Sequence, residues 1–121
     1  MDYLISPSKE TDWKIEDKQL INLLMSKWPN TQIKEIKNET RSYKLTWTIE
    51  FESLGTLEGG LQKDGQCIGL SGPLDACAIF ALWFREQVLA SQELWLYDQG
   101  FNCQISLTNE TNADEIKSIF G

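Results

Sequence analysis

Nine consecutive residues, Ala76 to Phe84, carry no polar side chain. Gly72-Pro73-Leu74-Asp75 precedes this run and Arg85-Glu86-Gln87 follows it. Proline suits the first turn of a helix, and an aspartate there meets the positive end of the helix dipole. The segment reads as a helix over about residues 73–89. A helix that is apolar nearly all round has to be enclosed on several sides. A sheet on one side and further helices beside it supply that enclosure, so this run governs the architecture.

The flanking segments supply those partners. Leu20, Leu24 and Trp28 recur at four-residue spacing with Ile21 and Met25 beside them, which predicts an amphipathic helix. Thr11 or Asp12 is its expected cap, and Pro29-Asn30 its end. Leu45, Trp47, Ile49 and Phe51 alternate with Lys44, Thr46, Thr48, Glu50 and Glu52. That is a strand with one dry face and one wet face, as in an antiparallel sheet. Weaker strands are expected over 31–37, 56–62, 66–70, 93–97 and 103–107. Lys63-Asp64-Gly65 forms a hairpin turn, because Asp and Gly tolerate positive φ. Tyr3-Leu4-Ile5 reads as a short strand or as an arm ending at Pro7. Asn112 or Thr111 caps a C-terminal helix, with Glu115 completing a capping box. No alternation of strand and helix calls for a parallel sheet. The expectation is a single α+β domain over residues 1–121. In it, a mostly antiparallel sheet of five to six strands packs on the central helix, with N- and C-terminal helices alongside.

The chain has 121 residues, a formal net charge of −7 and a pI near 4.5. A domain of this length buries enough surface to need no metal or disulfide staple. Binding DNA or RNA through counterion release needs clustered Lys and Arg. Here the basic residues are scattered singly, so neither nucleic acid nor an anionic membrane is an expected partner. The acidity reads first as keeping the protein soluble, and is compatible with a basic protein partner. Cys67, Cys77 and Cys103 are odd in number, lack C-x-x-C spacing and sit in apolar or alternating contexts. They read as buried free thiols of a cytoplasmic protein. The N-x-T sequons at Asn38 and Asn109 read as chance. The apolar run is too short to span a bilayer.

There is no histidine. This removes the usual general base at neutral pH, the Ser-His and Cys-His nucleophile pairs and the usual zinc sites. No catalytic motif is present, so no enzyme activity, catalytic residue, cofactor or metal is expected. The glycine-rich stretch Leu54 to Gly60 matches neither G-x-G-x-x-G nor a P-loop. It reads as strand bends or, alternatively, as close backbone approach to a ligand. Glu50, Glu52, Glu58 and Asp64 lie on neighbouring strands and read as a solvated face. Arg85, one of two arginines, is the candidate ligand contact, able to clamp an anion bidentately. The competing expectation pairs it with Asp75, Glu86 or Asp98, or leaves it exposed at the helix end.

Leu94 and Leu96 suit the core, so Trp95 and Tyr97 are expected on the opposite side of their sheet. Exposed Trp and Tyr are typical anchors of protein interfaces. The alternative places them as the buried pair or beneath another element. The order of elements and the acidity resemble type III secretion chaperones and some small immunity proteins. This is a resemblance of architecture that transfers no functional residue. The expected function is a non-catalytic protein-binding module that uses an acidic surface and Trp95 with Tyr97. Homodimerisation is compatible with it. The alternative is a small-molecule or anion-binding domain, enzymatic or not, with a cleft near Gly55–Gly60 and Arg85.

Overall fold

The computed structural model describes residues 2–37 and 42–121. Asn38 and its sequon lie outside the described residues, as does Arg41. Among the described residues, seven strands and three helices follow in the order β1 (Asp2–Ser6), α1 (Asp17–Lys27), β2 (Gln32–Glu35), β3 (Tyr43–Phe51), β4 (Gly55–Gln62), β5 (Ile68–Ser71), α2 (Leu74–Gln87), β6 (Leu94–Asp98), β7 (Gln104–Leu107) and α3 (Ala113–Phe120). The strands form one sheet, in the order β2-β3-β4-β5-β1-β6-β7, and every pairing is antiparallel.

The expected α+β class holds, with seven strands in place of five to six. The additional strand is β1. It pairs with β5 on one side and β6 on the other, and joins the β2–β5 meander to the β6–β7 hairpin. Tyr3 and Ile5 are almost fully enclosed. Five residues of alternating pattern reveal a strand but not its neighbours, and here β1 lies inside the sheet rather than at its edge.

The three helices cover one face of the sheet. Leu20 and Leu24 of α1 are fully buried, and each such side chain contributes about 1.5–3 kcal/mol. Trp28, just past α1, packs on Phe51, Phe80 and Trp83 at centroid distances of 5.6, 5.9 and 4.8 Å. Trp47 stacks on Phe80 at 5.7 Å, and Phe120 of α3 meets Tyr3 edge-on at 5.6 Å. Helix α2 buries Ala76, Cys77, Ala78, Phe80, Ala81, Trp83, Phe84 and Arg85, the enclosure its sequence demanded. Lys117 of α3 bridges to Asp75 of α2 at 2.9 Å. Pro73 occupies the N-cap position of α2, one residue before the helical position expected for it.

Two further boundaries differ from expectation. Helix α1 begins at Asp17, not after Thr11 or Asp12. The residues before it are held elsewhere: the Gln66 side-chain amide donates to the carbonyls of Thr11 and Trp13, and Ile15 N–H donates to Gly65 O. At the other end, Asn112 caps α3 by accepting from Glu115 N–H at 2.9 Å. The thiols of Cys67, Cys77 and Cys103 are free. Cys77 is buried, whereas Cys67 and Cys103 are half-buried, less enclosed than expected. No helix among the described residues is long and apolar enough to cross a membrane.

Candidate interaction surface on the open face of the sheet

The strand register assigns the side chains of the helix-free face. Leu94 and Leu96 are fully buried under the helices, so Trp95 and Tyr97 stand on the opposite face, both half-buried. Their rings stack at 6.5 Å. Phe101, in the loop between β6 and β7, meets Tyr97 edge-on at 5.5 Å and is 64% exposed. It also holds a φ of 57°. A bulky side chain in the left-handed region is strained. The loop is braced by Asp98: its carboxylate accepts from Cys103 N–H at 2.9 Å and its carbonyl from Phe101 N–H at 2.9 Å. Burial raises the pKa of the Tyr97 hydroxyl, with Glu93 adding to the effect, so the phenol stays protonated at neutral pH.

Beside this patch lies a groove of about 290 Å³. Its lining includes Tyr43 and a glycine pair beneath it, Gly60 of β4 facing Gly69 of β5. The ring of Tyr43 lies flat over Gly60. A Cβ there would stand 2.7 Å from Cδ1, with Cε1 at 3.0 Å and Cγ at 3.1 Å. A Cβ on Gly69 would stand 2.5 Å from the Tyr43 hydroxyl. The opposite face of the ring looks away from the sheet. Leu4 pairs with Gly69 on one side and with Tyr97 on the other, and so joins groove to aromatic patch. Along one rim, Asp2, Ser71 and Glu58 form a row across three adjacent strands. Asp2 and Glu58 are exposed, and neither forms an ion pair within the described residues.

The glycine-rich stretch thereby gains a reason. Gly55 opens β4 at a φ of 98°, beyond the range of ordinary side chains. Gly59 and Gly60 let the protein's own aromatics approach the backbone, with Trp47 on the helix side and Tyr43 on the open side. Of the carboxylates expected on a solvated face, Glu50 and Glu58 lie on the open face by register. Asp64 is used in the turn, where it accepts from Gln66 N–H at 2.9 Å. No three His, Cys, Asp or Glu residues among the described residues are placed to hold a metal ion.

Arg85 is neither exposed nor paired with Asp75, Glu86 or Asp98, which corrects that expectation. It is 3% exposed. Nη1 donates to the carbonyls of Gln92 (2.7 Å) and Leu107 (3.3 Å), and Nη2 to those of Val88 (3.2 Å) and Leu89 (2.6 Å). These bonds tie the C-terminal end of α2 to the following loop and to β7. Desolvation lowers its pKa from the ordinary arginine value. Arg85 lines a separate hollow with Ser91 and Glu110, and shares no lining residue with the groove at Gly60 and Gly69. The structure does not gather Arg85 and Gly55–Gly60 into one cleft.

The spacing of Leu94 to Tyr97 pointed to the patch. The groove was not legible, because Tyr43 reaches the open face only through a register shift between Tyr43 and Leu45. Comparison with known protein families, curated proteins and solved structures gives no match for this chain.

Proposed function

We propose that this protein is a non-catalytic, acidic protein-binding module that docks its partner on the open face of the sheet. The observation that carries this reading is the continuous aromatic surface of Trp95, Tyr97 and Phe101, with a strained, 64% exposed phenylalanine at its tip. Aromatic anchors of this kind supply most of the affinity of protein interfaces. A net charge of −7 favours a basic partner and speeds the encounter with it. The absence of histidine in the sequence supports a binding role over catalysis. An escort chaperone, an immunity factor or a small regulatory subunit of the cytoplasm fits this reading.

The test compares tagged wild type with the Trp95→Ala/Tyr97→Ala double variant in capture from native lysate. A stoichiometric partner held by wild type and lost by a variant with unchanged unfolding midpoint supports the reading. A partner retained at full yield contradicts it.

A second reading, a small-ligand domain, draws on the groove at Gly60 and Gly69. Its Asp2 and Glu58 rim favours cations over the anions that Arg85 would have served. A thermal-shift screen in which no cationic compound raises the melting temperature removes its support.

A further inference from the structure

We propose that the groove between Tyr43 and Leu4 receives an arginine side chain of the protein partner. The inference rests on the open face being the docking surface and adds the chemistry of what that surface reads.

The shape points to a flat, cationic group on an apolar stem. Gly60 and Gly69 remove two side chains from neighbouring strands, and Tyr43 fills the space with a ring lying flat on the backbone. Its outward face is a platform on which a guanidinium stacks by cation–π attraction. Leu4 offers an apolar wall to the methylene stem, as long basic side chains require.

The charges select the same group. Asp2 and Glu58 flank Ser71 in one row. Two strand spacings put their Cα atoms about 10 Å apart. A guanidinium directs donors to both sides of its plane edge and reaches two carboxylates at once, with the Ser71 hydroxyl between them. A lysine ammonium is a hydrated point charge and gains less from a flat platform. Lys34 lies on the same face, on edge strand β2 beyond Thr46, and so away from the carboxylate row. The whole chain, at −7, adds to the attraction.

The probe is a hexa-arginine peptide titrated into the ¹⁵N-labelled full chain, with hexa-lysine and hexa-glutamate as comparisons. The isosteric variant Asp2→Asn/Glu58→Gln keeps the shape and removes the charges, and both positions are exposed. Hexa-arginine is expected to shift the amide signals of Gly60, Gly69 and Ser71 saturably and to bind more tightly than hexa-lysine. In the variant its affinity should fall about three- to tenfold, the loss of two partly exposed charge pairs. Equal affinity for the variant, equal affinity for hexa-lysine, or shifts spread over acidic residues elsewhere would each overturn the proposal. If the groove test fails while Trp95→Ala/Tyr97→Ala still loses its partner, docking runs through the aromatics alone. If that variant keeps its partner, the reading of the face itself has failed.

Discussion

Tyr43 and Trp47 stand on the same strand and cover opposite faces of the next one. Regular alternation would put residues four apart on the same side. The register shift between Tyr43 and Leu45 turns Tyr43 onto the open face, while Trp47 stays under the helices. Strand β4 is thus held between two aromatic rings at Gly59 and Gly60. Bulges often re-aim one side chain in this way near functional surfaces.

Gly60→Ala is expected to lower stability by about 1–3 kcal/mol, because the new Cβ forces the Tyr43 ring off the sheet. In a Tyr43→Ala background the same change should cost much less. Urea denaturation of the four proteins in this cycle measures the coupling. Additive effects would mean that the ring does not rest on the glycine.

Arg85→Ala should destabilise the fold by about 2–4 kcal/mol, since four backbone carbonyls, those of Val88 and Leu107 in buried bonds, lose a charged donor. Arg85→Lys should recover only part of this, because an ammonium cannot span carbonyls on opposite sides of the fork. Partner capture by Arg85→Lys should match wild type at temperatures where both are folded.

The thiols of Cys67 and Cys77 should react slowly with disulfide reagents at neutral pH. Burial pushes their pKa values up to about 11 and about 12, with Asp64 adding to the first, so little thiolate is present. Reaction rates should rise sharply in denaturant. Fast labelling of either thiol in the native protein contradicts the packing described.

The Glu93 carboxylate accepts from Ser8 Oγ at 2.6 Å and Ser8 N–H at 3.0 Å, which lowers its pKa. A carboxylate depressed in the folded state adds stability above its unfolded pKa, and this is lost as pH falls through the folded value. Wild type should therefore lose stability on acidification below the ordinary carboxylate range more steeply than Ser8→Ala. Urea midpoints across that range measure the difference. Identical pH profiles would dismiss the Ser8–Glu93 contribution.

The sequence disclosed the parts whose signals are local. The apolar run of α2, the alternation of β3, the Lys63-Asp64-Gly65 turn and the Asn112 cap each depend on neighbours in the chain. The start of α1 was hidden because Gln66, more than fifty residues away, claims the carbonyls of Thr11 and Trp13. The interior place of β1 was hidden for the same reason: both of its partners are distant in sequence. Trp95 and Tyr97 were legible up to a choice of side, which only the burial of Leu94 and Leu96 decides. Tyr43, Gly60 and Gly69 meet across three strands, and no spacing along one strand announces that meeting.

The open face as docking surface is tested most directly by photocrosslinking in native lysate. Benzoylphenylalanine replaces Phe101 in one protein and Ile79, exposed on α2, in another. The account predicts a discrete crosslinked partner from position 101 and none from position 79. A partner crosslinked from position 79 alone would place the interface on the helices and contradict it.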